Sequence, residues 1–145
     1  MNCEVHVGVQ YASQVATMPC MKTEGAAGYD VCASEECTIP AHSRYMVETG
    51  VALELPPTLF ASIRGRSGLA SRGIDVHPGT IDSDYRGHIK IIVINNTNDK
   101  FDIKPGDRIA QLVFEQRITP SLTMAANALV ATKRGGSGFG STGME

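Results

Sequence analysis

Hydrophobic and polar residues alternate along most of this chain, and many of the apolar positions are β-branched. The pattern predicts strands in five stretches, which are residues 3–11, 44–55, 59–66, 88–96 and 108–118. The second stretch is long enough for two paired strands or for one bent strand. Because short strands recur without an intervening helical pattern, the sequence predicts an all-β barrel or sandwich.

Turn-forming residues separate these stretches. They are Thr38-Ile39-Pro40, Pro78-Gly79, Asn98-Asp99 and Lys104-Pro105-Gly106-Asp107. Residues 68–73 allow one helical turn. Residues 124–133 are alanine-rich and have good helix propensity, but the segment is too short to be stable alone. We expect it to be a linker that joins the last core strand to the C-terminus.

Length and composition narrow the class of protein. At 145 residues with 42% hydrophobic content, a single globular domain is expected. The net charge of -2 does not favour a nucleic-acid partner. The four cysteines and four histidines are scattered, so zinc spacing is absent and free thiols are expected. With no apolar run for a signal peptide or membrane span, we expect a cytoplasmic or nuclear protein.

Two stretches carry aspartates that are candidates for a catalytic or metal-binding role. In GTIDSDYRG (79–87), Asp82 and Asp84 would share one face of a regular strand, and Tyr85 would point to the opposite face. This is either a solvated hairpin tip or a carboxylate held beside an aromatic ring. In AAGYDVCA (26–33), Asp30 follows a flexible glycine and is more typical of a turn than of a metal site.

Residues 65–71, GRSGLAS, end one predicted strand and start a tight turn. Arg66 supplies a fixed cation, while Ser67 and the amides around Gly68 supply donors for an anion. An ordinary strand-to-turn junction explains the stretch equally well.

PGDRIAQLVF (105–114) opens as a turn and continues as a strand. Asp107 and Arg108 are interpreted as a structural ion pair at the strand entrance. Gln111 is expected on the same face as Ile109 and Val113.

The C-terminal stretch RGGSGFGSTG (134–143) contains five of the 15 glycines of the chain. It also carries arginine, phenylalanine and a Ser-Thr pair, which are ligand-contacting side chains. The stretch has almost no apolar side chains to bury, so packing against the core of its own chain cannot hold it in place. We expect it to become ordered on a ligand or on a neighbouring subunit.

Taken in order, AGYD, GRSGLA, GTIDSDYRG, GDRIAQL and RGGSGFGSTG resemble the five motifs of the homotrimeric dUTP pyrophosphatases (dUTPases), from about residue 20 to residue 143. There are two departures. Ser137 stands where the family usually has glycine, and 124–133 is alanine-rich where the family is often acidic. The resemblance implies a distorted jelly-roll β-barrel over residues 1–123, with a flexible arm over 124–145 whose lid motif is 134–143. It also implies a homotrimer whose active sites are shared between subunits.

The resemblance also implies roles for single residues. Asp82 would orient and deprotonate the water that attacks the α-phosphorus of dUTP, releasing dUMP and pyrophosphate. Mg²⁺ would span the phosphates and touch Asp30 through water. Such an enzyme keeps uracil out of DNA and supplies dUMP for thymidylate synthesis. The implied substrate-binding residues are Arg66, Ser67, Gly68, Gly79, Ile81, Tyr85, Gln111, Arg134, Phe139, Gly140, Ser141 and Thr142.

Two alternatives stay open at this point. A dCTP deaminase has the same fold, but its tail motif differs, and the Asp-Ser-Asp-Tyr-Arg stretch favours the pyrophosphatase. A dUTPase-like interaction protein without hydrolysis usually loses a motif, and all five are present here.

Overall fold

The computed structural model describes residues 4–140 and Gly143. This part of the chain forms ten strands and one helical turn. They are β1 (Gly8–Tyr11), β2 (Tyr29–Cys32), β3 (Cys37–Ile39), β4 (Ser43–Glu54), β5 (Leu59–Arg64), α1 (Ser67–Ala70), β6 (Ile74–Val76), β7 (Gly79–Ile81), β8 (His88–Asn95), β9 (Phe101–Ile103) and β10 (Arg108–Gln116).

The strands form two four-stranded sheets, in the orders β1-β4-β8-β6 and β2-β10-β5-β7, and a ribbon of β3 and β9. Every pairing is antiparallel. Inward residues of both sheets and of the ribbon are fully buried, for example Leu112, Ile91 and Ile39. The prediction of an all-β fold is therefore confirmed, and the arrangement is that of a distorted jelly-roll barrel.

Strand β4 is one bent strand, which settles the choice left open by the sequence. Its pairing with β8 shifts register around Gly50, which has a φ of 65°. A methyl group on Gly50 would lie 3.0 Å from Ser13 and 3.1 Å from Ala16, so glycine is needed for both its backbone conformation and its space. The buried hydroxyl of Thr49 donates a hydrogen bond to the carbonyl oxygen of Ile89 at 2.7 Å, which fixes the bend.

The remaining predictions about elements have mixed outcomes. The first strand begins at Gly8, so residues 4–7 of the predicted stretch 3–11 are not strand, and Cys3 lies outside the described residues. Residues 68–73 overlap the single helical turn α1. Thr38 and Ile39 belong to β3, and Gly79 begins β7, so the turn predictions there were wrong. Turns at 98–99 and 104–107 are confirmed.

The regular fold ends with β10 at Gln116. Arg117 still contacts the barrel through hydrogen bonds to the carbonyl oxygens of Thr58 and Pro57. Beyond it, residues 118–140 contain neither strand nor helix and are almost all exposed. The helix propensity of 124–133 is not realised, because apolar side chains such as Leu129 (85% exposed) have no surface to pack against.

Candidate active site

One group of candidate residues surrounds the carboxylate of Asp30 on the outer face of the β2-β10-β5-β7 sheet. Its Oδ1 accepts a hydrogen bond from Nε of Arg66 at 3.2 Å, and its Oδ2 lies 3.4 Å from Nη1 of Arg108. The Asp30 side chain is only 15% exposed. Arg66 also donates from Nη1 to the carbonyl oxygen of Arg108 at 3.0 Å. We call Asp30, Arg66, Arg108 and Gln111 the cation cluster. Asp30 lies in strand β2 and not in a turn, which corrects the sequence-based interpretation.

Gln111 occupies the position opposite Asp30 in the pairing of β10 with β2. Its Nε2 donates a hydrogen bond to the carbonyl oxygen of Gly65 at 2.9 Å. The prediction that Gln111 shares a face with Ile109 was wrong. Both Ile109 and Ala110 are buried, because a β-bulge interrupts the alternation just before Gln111.

The predicted ion pair between Asp107 and Arg108 was also wrong. Oδ2 of Asp107 accepts a hydrogen bond from the backbone N–H of Lys104 at 2.9 Å, so it closes the turn before β10. Arg108 turns to Asp30 instead. Local sequence around Arg108 carries no signal for this partner, because Asp30 is far away along the chain.

Ser67 and Gly68 lie where β5 passes into α1, beside the cation cluster. Arg66 is the residue before the helical turn and has an extended backbone. Leu69 is 93% buried and anchors the turn to the core, whereas Ser67 and Gly68 are exposed. Apart from its chain neighbours and the backbone of α1, no atom of the described residues lies within 4 Å of a methyl group placed on Gly68, so a ligand can approach its backbone closely.

The second group of candidate residues lines a separate cleft of about 310 Å³, which we call the tyrosine cleft. The predicted residues Ile81, Asp82 and Tyr85 lie here. Gly79 is at the start of the adjoining strand β7, where it faces Ile63 of β5. The residues that line the cleft are Met46, Ile63, Thr80, Ile81, Asp82, Tyr85, His88, Ile89, Lys90 and Ile92.

Asp82, Asp84 and Tyr85 lie in a turn, not on a strand. The backbone N–H of Tyr85 donates to the carbonyl oxygen of Asp82 at 3.1 Å. The prediction of alternating faces therefore does not apply to this stretch. The Tyr85 hydroxyl donates to the carbonyl oxygen of His88 at 3.0 Å, and its ring fills the space where a side chain on Gly87 would lie.

A cation borders the tyrosine cleft. Nζ of Lys90 lies 2.8 Å from Oε1 of Glu48. This hydrogen bond raises the pKa of Lys90 above its ordinary value, so the ammonium group stays charged at neutral pH.

The two groups are well separated on one copy of the chain. Ile81, the neighbour of Asp82, pairs with Ala61, and Arg66 follows Ala61 by five residues. At about 3.3 Å per strand residue, the two backbones lie on the order of 15 Å apart. None of the four cation-cluster residues lines the tyrosine cleft.

The C-terminal motif contributes a third group. Arg134, Phe139 and Gly140 are exposed, and the ring of Phe139 contacts little of the chain. The hydrogen bonds of this stretch in the described residues are local, such as Nε of Arg134 to the carbonyl oxygen of Ser137 at 3.0 Å. Ser137 does not have positive φ, so the family's usual glycine is not required there in this conformation. The predicted residues Ser141 and Thr142 lie outside the described residues.

Cysteines Cys20, Cys32 and Cys37 are free, as predicted, while Cys3 lies outside the described residues. Burial raises the pKa of the thiols of Cys32 and Cys37, so neither is an activated nucleophile. Among the described residues, no three His, Cys, Asp or Glu side chains converge as a metal cage. Helices long and apolar enough to cross a membrane are likewise missing from residues 4–140.

Comparison with known proteins identifies relatives of this chain. The dUTPase family model matches residues 14–143. The deoxyuridine 5'-triphosphate nucleotidohydrolase of Paramecium bursaria Chlorella virus 1 is 49% identical over 130 residues, which cover 89% of this chain and 92% of the viral protein. The Schizosaccharomyces pombe protein described as a probable enzyme of the same name is 42% identical, covering 94% of this chain and 97% of the yeast protein.

Solved structures give the same result for the fold. The dUTPase of Staphylococcus bacteriophage 80alpha with dUpNHpp matches with a TM-score of 0.89 at 26% identity, covering 95% of this chain and 98% of that protein. A mutant dUTPase from phage phi11 of S. aureus, described as coordinating a structural Mg(II) ion, matches with a TM-score of 0.81 at 24% identity, covering 85% of this chain and 98% of that protein.

The fold, the motif order and these relatives define an all-β hydrolase. The chain belongs to the dUTPase family.

Proposed function

We propose that this chain hydrolyses dUTP to dUMP and pyrophosphate. The observation that carries the proposal is the division of the motif residues into complementary groups. Within the cation cluster, the guanidinium of Arg66 and the amide of Gln111 are donors suited to a triphosphate. The tyrosine cleft presents a carboxylate, an aromatic ring and backbone polar groups suited to a nucleoside.

The distance between these groups supports a homotrimer with shared active sites. A water activated by Asp82 must reach a phosphorus whose oxygens are held by Arg66 and its neighbours. On one copy the two backbones lie on the order of 15 Å apart and no cation-cluster residue lines the tyrosine cleft, which favours a second copy as the source of the facing group. We propose that the cation cluster of one copy faces the tyrosine cleft of a second copy, and that a third copy supplies the arm.

Asp82 is the proposed catalytic residue. It is exposed in the cleft, so it can hold a water by hydrogen bond and accept its proton. An aspartate is a weak base at neutral pH, so proton removal supplies only part of the rate. Alignment of the water and neutralisation of charge on the phosphates supply the rest.

The remaining motif residues bind the substrate. Arg66, Ser67 and Gln111 would hold the phosphate oxygens, and Gly68 would add a backbone amide. From the arm, Phe139 would stack on the uracil face, while Arg134, Ser141 and Thr142 would reach the terminal phosphates. The backbone amide of Gly140 can approach the phosphates because it carries no side chain.

Mg²⁺ fits this site as an ion carried by the substrate. Both oxygens of Asp30 already face guanidinium groups, so a water-mediated contact suits this carboxylate better than a direct bond. Mg²⁺ commonly keeps several waters and binds through few carboxylates and the phosphates of a substrate. When bound, the ion neutralises charge on the phosphate oxygens.

Selectivity for deoxyuridine is assigned to the tyrosine cleft. Tyr85 would pack under the deoxyribose and leave no room for a 2′-hydroxyl, and its ring occupies the space that a side chain on Gly87 would fill. Backbone groups of residues 76–82, including Gly79 and Ile81, would read the uracil edge, and a tight floor there would exclude the thymine methyl group.

Replacing Tyr85 by alanine is expected to raise kcat/KM for UTP relative to dUTP by roughly 10- to 100-fold, because a shaped steric barrier is lost. Steady-state kinetics on both nucleotides measures the ratio. Tyr85→Phe is the matched control, since it keeps the ring and removes only the hydroxyl, and its ratio should stay close to that of the unchanged enzyme. If all three proteins discriminate equally between dUTP and UTP, another residue must exclude the 2′-hydroxyl.

Replacing Gly28 by alanine is expected to lower kcat/KM for dUTP by about tenfold or more. A methyl group there would lie 2.5 Å from Oε1 of Gln111, so the amide must leave its position. Gly25→Ala is the matched control in the same loop, because its added methyl group would meet no atom within 4 Å among the described residues other than its chain neighbours. Circular dichroism checks that both variants fold. Unchanged kinetics for Gly28→Ala would show that the position of Gln111 does not matter.

Pyrophosphate release from dUTP, dTTP, dCTP and UTP, each with and without Mg²⁺, tests the proposed function. We expect rapid release from dUTP alone and strong dependence on Mg²⁺. Ammonia from dCTP would favour the deaminase, and inactivity on all four nucleotides would favour an interaction protein without hydrolysis. A confirmed activity would also support the proposed roles in keeping uracil out of DNA and supplying dUMP for thymidylate synthesis.

A further inference from the structure

We infer that Arg108 is a positioning residue for phosphate binding, acting through Asp30 and not by contact with the substrate. This inference rests on the proposed function. The carboxylate of Asp30 lies between two guanidinium groups. Arg66 contacts Oδ1 at 3.2 Å and Arg108 contacts Oδ2 at 3.4 Å.

A β-bulge brings Arg108 to this face of the sheet. Arg108 and Gln111 are three residues apart, so a regular strand would place them on opposite faces. In β10 the pairing with β2 shifts register between Arg108 and Ala110. The two residues that separate Arg108 from Gln111, Ile109 and Ala110, are both buried. Arg108 and Gln111 therefore both face outward. Bulges of this kind commonly redirect a side chain beside an active site.

The contact matters because Asp30 also orients Arg66. Two donors of Arg66 are fixed, Nε by Asp30 and Nη1 by the carbonyl oxygen of Arg108. Within the described residues, Nη2 of Arg66 has no acceptor, so this nitrogen is available to a phosphate oxygen. Arg108 thus fixes Arg66 twice, through its backbone carbonyl and through the carboxylate that its side chain holds.

Electrostatics supports the same role. A partly buried carboxylate with a single guanidinium partner would draw Arg66 away from an incoming phosphate. Because Arg108 is a second partner, Asp30 still has a cation beside it when Arg66 binds a phosphate oxygen of the substrate. Loss of the Arg108 side chain should therefore weaken phosphate binding, although the substrate never touches it.

A double-mutant cycle tests the inference. Binding of the non-hydrolysable analogue dUpNHpp is measured by calorimetry without Mg²⁺ for the unchanged protein, Arg108→Gln, Asp30→Asn and the double variant. We expect Arg108→Gln to weaken binding about tenfold or more, but to change it less than about threefold when Asp30 is already Asn. Equal losses in both backgrounds would overturn the inference, because Arg108 would then act independently of Asp30.

Arg64→Gln is the matched control. Arg64 is also a partly exposed arginine on this sheet, and it pairs with Glu115 at 3.3 Å. Its loss should change analogue binding less than about twofold. An effect of Arg108→Gln no larger than this would also overturn the inference. Thermal melting shows whether each variant folds. If Arg108→Gln does not, Arg108→Met takes its place, with the same expected loss because it keeps an apolar stem and removes the cation beside Asp30.

Hydrolysis of dUTP by the unchanged protein is measured in the same series. Its absence would count against the proposed function itself. Its presence together with an additive cycle would count against the role of Arg108 alone.

Discussion

Replacing Asp82 by asparagine is expected to lower kcat for dUTP by about 10²- to 10⁴-fold while leaving binding of dUpNHpp nearly unchanged. Asparagine has the same shape but cannot accept the proton of the attacking water. Because Asp82 is exposed in a turn, the substitution removes no buried contact and should leave the fold intact. Single-turnover hydrolysis and analogue titration measure the two effects separately.

Asp84→Asn is the control for this experiment, since Asp84 lies in the same turn and is also exposed. Its turnover should stay within about threefold of the unchanged enzyme. Turnover retained by Asp82→Asn, or an equal loss in both variants, would remove Asp82 from the role of base. A loss of analogue binding that matches the loss of kcat would assign Asp82 to binding instead.

Removing residues 134–145 is expected to leave a folded protein with kcat/KM for dUTP lowered by about 10²-fold or more. The arm makes local hydrogen bonds and lies outside the barrel in the described residues, so the core should be unaffected by its loss. The active site would lose the donors and the aromatic ring that close over the substrate. Thermal melting and steady-state kinetics measure the two effects.

Ending the chain at Gly143 is the matched control, since it retains the whole motif and removes only two residues. If the protein without residues 134–145 turned over dUTP normally, the arm would not be a lid.

The Phe139→Ala variant removes only the stacking of the ring on uracil and should weaken the binding of dUpNHpp by about 1–3 kcal/mol.

The sequence predicts the long strands well and the short ones poorly. Strands β4, β8 and β10 repeat their alternation over many residues, so periodicity alone locates them. Strands β3 and β9 have three residues each, and they form because each pairs with the other across the fold. Proline after Thr38 and Ile39 made β3 resemble a turn, which is the opposite of its observed conformation.

For the site, motif resemblance predicts which residues matter but not how they are arranged. Gln111 was assigned to the wrong face because a bulge is invisible to a simple alternation rule. Arg108 was paired with its neighbour Asp107, since local sequence does not reveal a partner on another strand. Gly28 belongs to the AGYD motif. The motif alone does not show that a side chain at this position would meet the Gln111 amide, because that approach depends on the packing of β10 beside it.

Mixing two inactive variants tests the central claim, which is that each active site combines parts of different copies of the chain. Asp82→Asn lacks the carboxylate that we propose to be catalytic, and the protein without residues 134–145 lacks the arm. Equal amounts of the two variants are unfolded together and refolded, so that the copies assemble at random. If the carboxylate and the arm of a site come from different copies, each is intact at about half of the sites, and both are intact at about a quarter of them. We predict about that fraction of the activity of the unchanged enzyme. A mixture as inactive as its two components would contradict the shared site.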